Sequence, residues 1–167
     1  MRARLYQYGA HDIVLRSAGT WARGGDPMYE YSLDVLADRG IDGTAFRTTP
    51  LDEHTLAGVD VVIGAAREHR AAAVGMRPAL LKSAFTLPEL SRICADIDAR
   101  ELTATSLDAR LMRLVQLAAS RRTNTLPADP EDDDLVDPIG LPPEEFVVCA
   151  DTVEALLDPI VTLLTAS

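Results

Sequence analysis

Apolar positions along the chain alternate between two textures. The runs "IVLRSAGT" at 13–20, apolar and β-branched at its start, "VDVVIGA" at 59–65 and "KSAFTL" at 82–87 are short and read as strands. The run at 59–65 is apolar apart from Asp60, the kind buried on both faces of a parallel sheet. The segments between and after them carry helical spacing and helix punctuation. In "GGDPMYEYSLDVLADRGI", Asp26 reads as an N-cap, Pro27 as the first helical residue and Gly40 as the stop, with Ile41 closing the C-terminal contact. Leu33, Leu36 and Ala37 supply its apolar stripe. A short helix is expected around Leu51–Leu56, and "AREHRAAAVG" at 66–75 reads as another. Pro88 opens "PELSRICADIDARE", Ser106 caps "LDARLMRLVQLAASRR", and a last helix runs from Pro143 to Leu164 with a kink or break expected at Pro159. Residues 123–143 form a loop rich in Pro and Asp. The first residues, "MRARLYQYGAHD", resemble the tail of a helix followed by a turn at Gly9, an unusual way for a domain to begin.

Strands alternating with helices predict an α/β fold with a parallel sheet and right-handed crossovers. At 167 residues the chain suits one domain, 1–167, with a real core. The formal charge of −10 argues against nucleic acid or an anionic membrane as partner, because both need basic patches. Two cysteines and no secretory apolar segment point to a reducing cytoplasm. No apolar run approaches the roughly 20 residues that span a bilayer.

Candidate chemistry begins with "CADIDAR" at 94–100, whose Cys-x5-Arg spacing is that of a phosphate loop. Such a loop converges backbone N–H groups on an anion, which calls for small residues and no negative charge in the ring. Here there is no Gly, and Asp96 and Asp98 would face the anion. Leu90, Ile93, Cys94 and Ile97 instead recur at helical spacing. On a helix, Cys94 and Arg100 would be separated by about 9 Å of rise and about 240° of rotation. Cys94 is therefore read as a core residue. Cys149, spaced with Phe146, Val153 and Leu156 in the last helix, is read the same way. His11, His54 and His69 are scattered, so neither a metal site nor another cofactor is expected. "REHR" at 67–70 offers either a basic spot for an anion or a plain helix surface.

Four segments in order, "LRSAGTWARGGDPMYEYSLDVLADRGID", "LDEHTLAGVDVVIGAAREHRAAAV", "FTLPEL" and "DDDLVDPIGLPPEEF", resemble the low-molecular-weight protein-tyrosine phosphatase family, especially its actinobacterial members. The resemblance runs from about Leu15 to the C-terminus. It implies a phosphotyrosine phosphatase I-like three-layer fold, a small parallel sheet flanked by helices, and phosphate monoester hydrolysis. In that reaction a Cys thiolate attacks phosphorus, an Arg and loop amides hold the phosphoryl oxygens, and an Asp protonates the leaving phenol. By resemblance that Asp is Asp137. Asp132, Asp133 and Asp134 stand close by, and like charges favour its protonated form; the competing reading is a solvated turn begun by Asp-Pro. Ser17 matches the serine bracing the phosphate loop, or is a polar residue that ends a strand. Trp21 matches the loop walling the substrate pocket, or is a packing anchor. The implied partners are a phosphotyrosine protein or a small aryl phosphate.

Two departures matter. Ile139 stands where the family usually has an aromatic, which weakens stacking on a phenol. More serious, no strand followed by Cys-x5-Arg-Ser precedes residue 13, so the family's first strand, loop and most of a helix are missing, about 20–30 residues by the size of a βαβ unit. That strand is central in the family's 2-1-3-4 order. Without it, Ile13–Ser17 is expected to pair directly with Val59–Ala65 in a three-stranded sheet, or the exposed edges to be filled otherwise, as by a homodimer. Three functional readings follow: a phosphatase whose gene begins upstream, a non-catalytic binding or regulatory relative, or a remnant without function. In each, the chain as given does not hydrolyse phosphotyrosine.

Overall fold

A computed structural model describes residues 1, 5, 13–103 and 106–166. The expected helix tail and Gly9 turn fall outside the described residues apart from Met1 and Leu5, whose N–H donates to the Met1 carbonyl at 2.9 Å. The elements in order are α1 (Glu30–Asp38), β1 (Val62–Gly64), α2 (Arg67–Met76), β2 (Ala84–Thr86), α3 (Leu87–Ala95), α4 (Leu107–Arg121) and α5 (Pro143–Thr165), with short 3-10 turns between several of them.

The two strands pair in parallel, Val62 with Ala84, Ile63 with Phe85 and Gly64 with Thr86. Their alternation separates two cores. Val62 and Ala84 face a small cluster with Leu56, Ala73 and Leu80 on the α2 side. Phe85 and Ile63 face a larger cluster built from α3, α4 and α5. A sheet buried on both faces between helical layers is the three-layer α/β arrangement. The larger core is mostly helical: Leu90, Ile93 and Cys94 of α3 meet Leu114 and Ala118 of α4 and Leu157, Ile160 and Leu164 of α5. Among the described residues, the contact of α3 with α5 is the most extensive between two helices.

Local chemistry explains the boundaries. Thr86 caps α3 in a capping box, its Oγ1 accepting from the Glu89 N–H at 3.2 Å while Glu89 Oε2 accepts from the Thr86 N–H at 3.2 Å. Ser106 caps α4 by accepting from the Ala109 N–H at 3.3 Å. Helix α1 ends as expected, with Gly40 at φ +69° and the Ile41 N–H on the Leu36 carbonyl at 2.8 Å. It begins three residues later than the Asp26–Pro27 signal predicts. The Asp26 backbone is committed elsewhere, its N–H to Thr48 Oγ1 and its carbonyl to the Thr48 N–H. Val35 is its buried residue, whereas Leu33 and Leu36 are half-buried and Ala37 is exposed. Residues 52–58 make turns rather than a helix.

Three further expectations are corrected. Ile13–Ser17 joins no strand, and the sheet among the described residues has two strands, not three. Ile13 and Leu15 still pack on the large core while Val14 points out. The chain beyond them is captured by another segment: Gly19 bridges Pro50, its N–H donating to the Thr49 carbonyl at 2.9 Å and its carbonyl accepting from the Leu51 N–H at 3.0 Å. The helix expected at 88–101 stops at Ala95. Asp98 starts a separate 3-10 turn, Ala99–Glu101, by accepting from the Arg100 N–H at 2.9 Å. Lastly, of the kink or break expected at Pro159, the break does not occur, and α5 continues to Thr165.

Candidate functional site

In open parallel sheets, ligands sit off the carboxyl ends of the strands. Here β1 ends at Gly64 and feeds α2 through Ala65 and Ala66. A Cβ on Gly64 would lie 3.1 Å from the Ala66 carbonyl oxygen, the Arg70 nitrogen and His69 Cβ, so the helix can start this close only over glycine. The loop 125–141 is fastened to this end of the sheet. The Leu135 N–H donates to the Ala65 carbonyl at 2.8 Å. Asp134 accepts from the Arg67 N–H at 2.7 Å and from Arg67 Nε and Nη2 at 3.0 and 2.8 Å. These Arg67 bonds hold the Asp134 carboxyl below its usual range, against a smaller opposing effect of burial. On the other side of the loop, Arg92 donates from Nη2 to Asp133 at 2.8 Å and from Nε to the Thr125 carbonyl at 2.7 Å.

Beneath the loop lies a buried ionic hub. The Glu89 side chain is 5% exposed and pairs with Arg70 Nη1 at 3.0 Å. Arg122 Nε lies 2.7 Å from the other carboxylate oxygen, an ion pair whose N–H does not have hydrogen-bonding geometry. Arg122 also donates to the Leu81 and Ala84 carbonyls and places its guanidinium carbon 4.4 Å from the Phe85 ring centroid. Both "REHR" arginines are therefore committed to carboxylates, one to Asp134 and one to Glu89. A sequence signal for Glu89 existed in the Thr86-x-x-Glu89 capping box, but nothing local announced its distant arginines.

Asp137 is exposed on a turn two residues beyond Leu135. Its Oδ1 accepts from the Ile139 N–H at 3.0 Å, and the Leu141 N–H closes on the Pro138 carbonyl at 3.0 Å. Gly140, at φ +88°, supplies the positive angle that a type II turn asks of its third residue. The turn sits near the start of α5, where burial and then the Asp137 charge push the Cys149 thiol up. Of the three acidic neighbours expected to act on Asp137, Asp133 and Asp134 are each paired with an arginine. Ile139 is exposed beside it. Ser17 and Trp21 are exposed on the segment that Thr49 and Leu51 hold, Trp21 at 91%. Among the described residues, no hydrogen bond joins either one to the Asp137 turn.

The two thiols are not set up as nucleophiles. Cys94 is 2% exposed, and burial pushes its thiol up to about 12. Arg100 lies in the separate 3-10 turn, 90% exposed and paired with Asp98, whose carboxyl it holds at about 2. Cys149 is half-buried.

These features define a small parallel α/β domain with an acid-bearing turn at the carboxyl end of its sheet. Its fold is similar to that of a solved low molecular weight protein tyrosine phosphatase from T. tengcongensis, with a TM-score of 0.64 and 23% identity over 95% of this chain and 82% of that one. No protein-family model matches the chain, and no curated protein sequence matches it significantly.

Proposed function

We propose that residues 1–167 form one phosphatase-like domain, of the actinobacterial low-molecular-weight type, that keeps the acid loop but not the nucleophile. The observation that carries this reading is the fastening of the Asp137 loop to the carboxyl end of β1 in a fold of this kind. Asp137 is the general acid, which would donate a proton to a leaving phenol and later take one from water. Ser17 would brace the phosphate loop, Trp21 would wall the pocket, and Ile139 would give weaker stacking than an aromatic. The substrate class is a phosphotyrosine protein or a small aryl phosphate, met in a reducing cytoplasm. No helix among the described residues is long and apolar enough to cross a membrane.

The reaction itself needs a strand ending in Cys-x5-Arg-Ser, and the sequence given has none. The buried Cys94 does not substitute for it. Under the phosphatase reading, hydrolysis would need that strand and loop from residues beyond the sequence given. The second reading, a non-catalytic binding or regulatory protein, is favoured by the same burial of Cys94. In that case the edge of β1 away from β2, which pairs with no described strand, suits a homodimer or a partner strand.

One experiment separates the readings. The 167-residue chain is assayed with p-nitrophenyl phosphate beside a version extended by the in-frame codons upstream of Met1. The phosphatase reading expects no turnover from the first and turnover from the second that Asp137→Asn reduces. An upstream stop codon favours the binding reading. Turnover by the short chain that Cys94→Ser abolishes would overturn both.

A further inference from the structure

We propose that Arg67 is a positioning residue that acts through Asp134 to fix the Asp137 turn over the end of β1. The inference rests on reading that turn as the working part of the site, but its test does not depend on turnover. Three donors of one residue, a backbone N–H and two guanidinium N–H groups, converge on one carboxylate 67 positions away in sequence. A fork of this kind fixes orientation as well as distance. Immediately after Asp134, the Leu135 N–H bonds to Ala65, and two residues later comes Asp137. Arg67 therefore holds the residue directly before the last backbone anchor of the loop, Leu135.

The pair is poorly placed to stabilise the whole fold. The Arg67 and Asp134 side chains are 42% and 30% exposed, where ion pairs contribute little to global stability. Its effect is confined to the loop's exit. Arg92, by contrast, joins Asp133 to the Thr125 carbonyl and so closes the loop's base. The two arginines have separate tasks, and only Arg67 reaches the turn side.

Amide hydrogen exchange tests this on the 167-residue chain. Arg67→Ala and the shape-preserving Asp134→Asn should each speed exchange at Leu135, Ile139 and Leu141 by on the order of tenfold or more, the weight of charge-assisted bonds. The double variant should match either single one, and Arg67→Lys should recover part of the protection. Core amides at Ile93 and Leu114 should be unchanged, and Arg92→Ala should act on 125–133 instead. Unchanged exchange at Leu135 and Leu141 in Arg67→Ala overturns the proposal. So does equal acceleration of the core amides, which would mean general destabilisation. A turn that loosens in these variants, when the upstream-extended version also fails to hydrolyse p-nitrophenyl phosphate, supports the positioning role and refutes only the phosphatase reading.

Discussion

The buried thiol of Cys94 gives a signed and measurable consequence. On folding its pKa rises from 9.0 to about 12, because burial among Leu90, Ile93 and Ile97 penalises the thiolate. A group whose pKa is raised on folding contributes stability that is intact below its unfolded value and lost as pH climbs towards its folded one. Above pH 9 the unfolded thiol gives up its proton while the folded one keeps it. Stability should then fall by about 1.4 kcal/mol per pH unit on account of this residue alone. Between pH 8 and pH 10.5 the loss comes to about 2 kcal/mol. The assay is urea unfolding under reducing conditions, comparing Cys94→Ala with its parent, both in a Cys149→Ser background so that one thiol titrates. Tyrosines, lysine and the other groups that ionise in this range are common to both proteins and cancel. The stability gap between the two should shrink by about 2 kcal/mol over that interval, whatever its size at pH 8. A gap constant with pH would refute the burial argument. A gap that changed below pH 7 instead would indicate a depressed thiol, the condition a nucleophile requires.

Two other perturbations address the frame of the site. Glu89→Ala should cost about 3 kcal/mol in urea unfolding, near the low end for a broken buried ion pair because Arg70 and Arg122 both reach solvent; a loss under about 1 kcal/mol would mean the hub is dispensable. Gly64→Ala should cost about 1–3 kcal/mol, since two of the atoms its Cβ would crowd at 3.1 Å belong to the backbone and cannot rotate aside; an unshifted unfolding midpoint would show that α2 can back away from the sheet.

The helices were largely legible in the sequence because their signals are local. Ser106 and the Gly40 stop act within four residues, and the stripe Leu90, Ile93, Cys94 and Ile97 is buried as its spacing predicts. The break after Ala95 had a local signal too, the Asp98-x-x-Glu101 capping pair, which the continuing apolar spacing to Ile97 masks. Strand pairing was not legible. Ile13–Ser17 has the composition of a strand, with Ile13 and Leu15 packed inward and Val14 and Arg16 exposed, but a ladder also needs a neighbour, and Thr49 to Leu51 take Gly19 instead. The site was readable only in part. The Asp-Pro turn at 137–140 is visible from its residue types, while the arginines that hold its loop and Glu89 lie 19 to 67 positions from their partners. An arginine in a helix gives no sign in sequence of which carboxylate it will meet.

The Glu89 hub also decides how the acid loop can move. Arg70 ties α2 to α3 through that buried carboxylate, and the loop hangs from the same two helices, from α3 at Arg92 and from α2 at Arg67. Its two side-chain suspension points thus belong to helices tied to each other, and the Leu135 bond to Ala65 adds a third anchor. What freedom remains is a hinge motion of Val136 to Leu141, a flap only six residues wide. A partner that sought to move Asp137 by a large distance would first have to pry two helices from a shared buried charge.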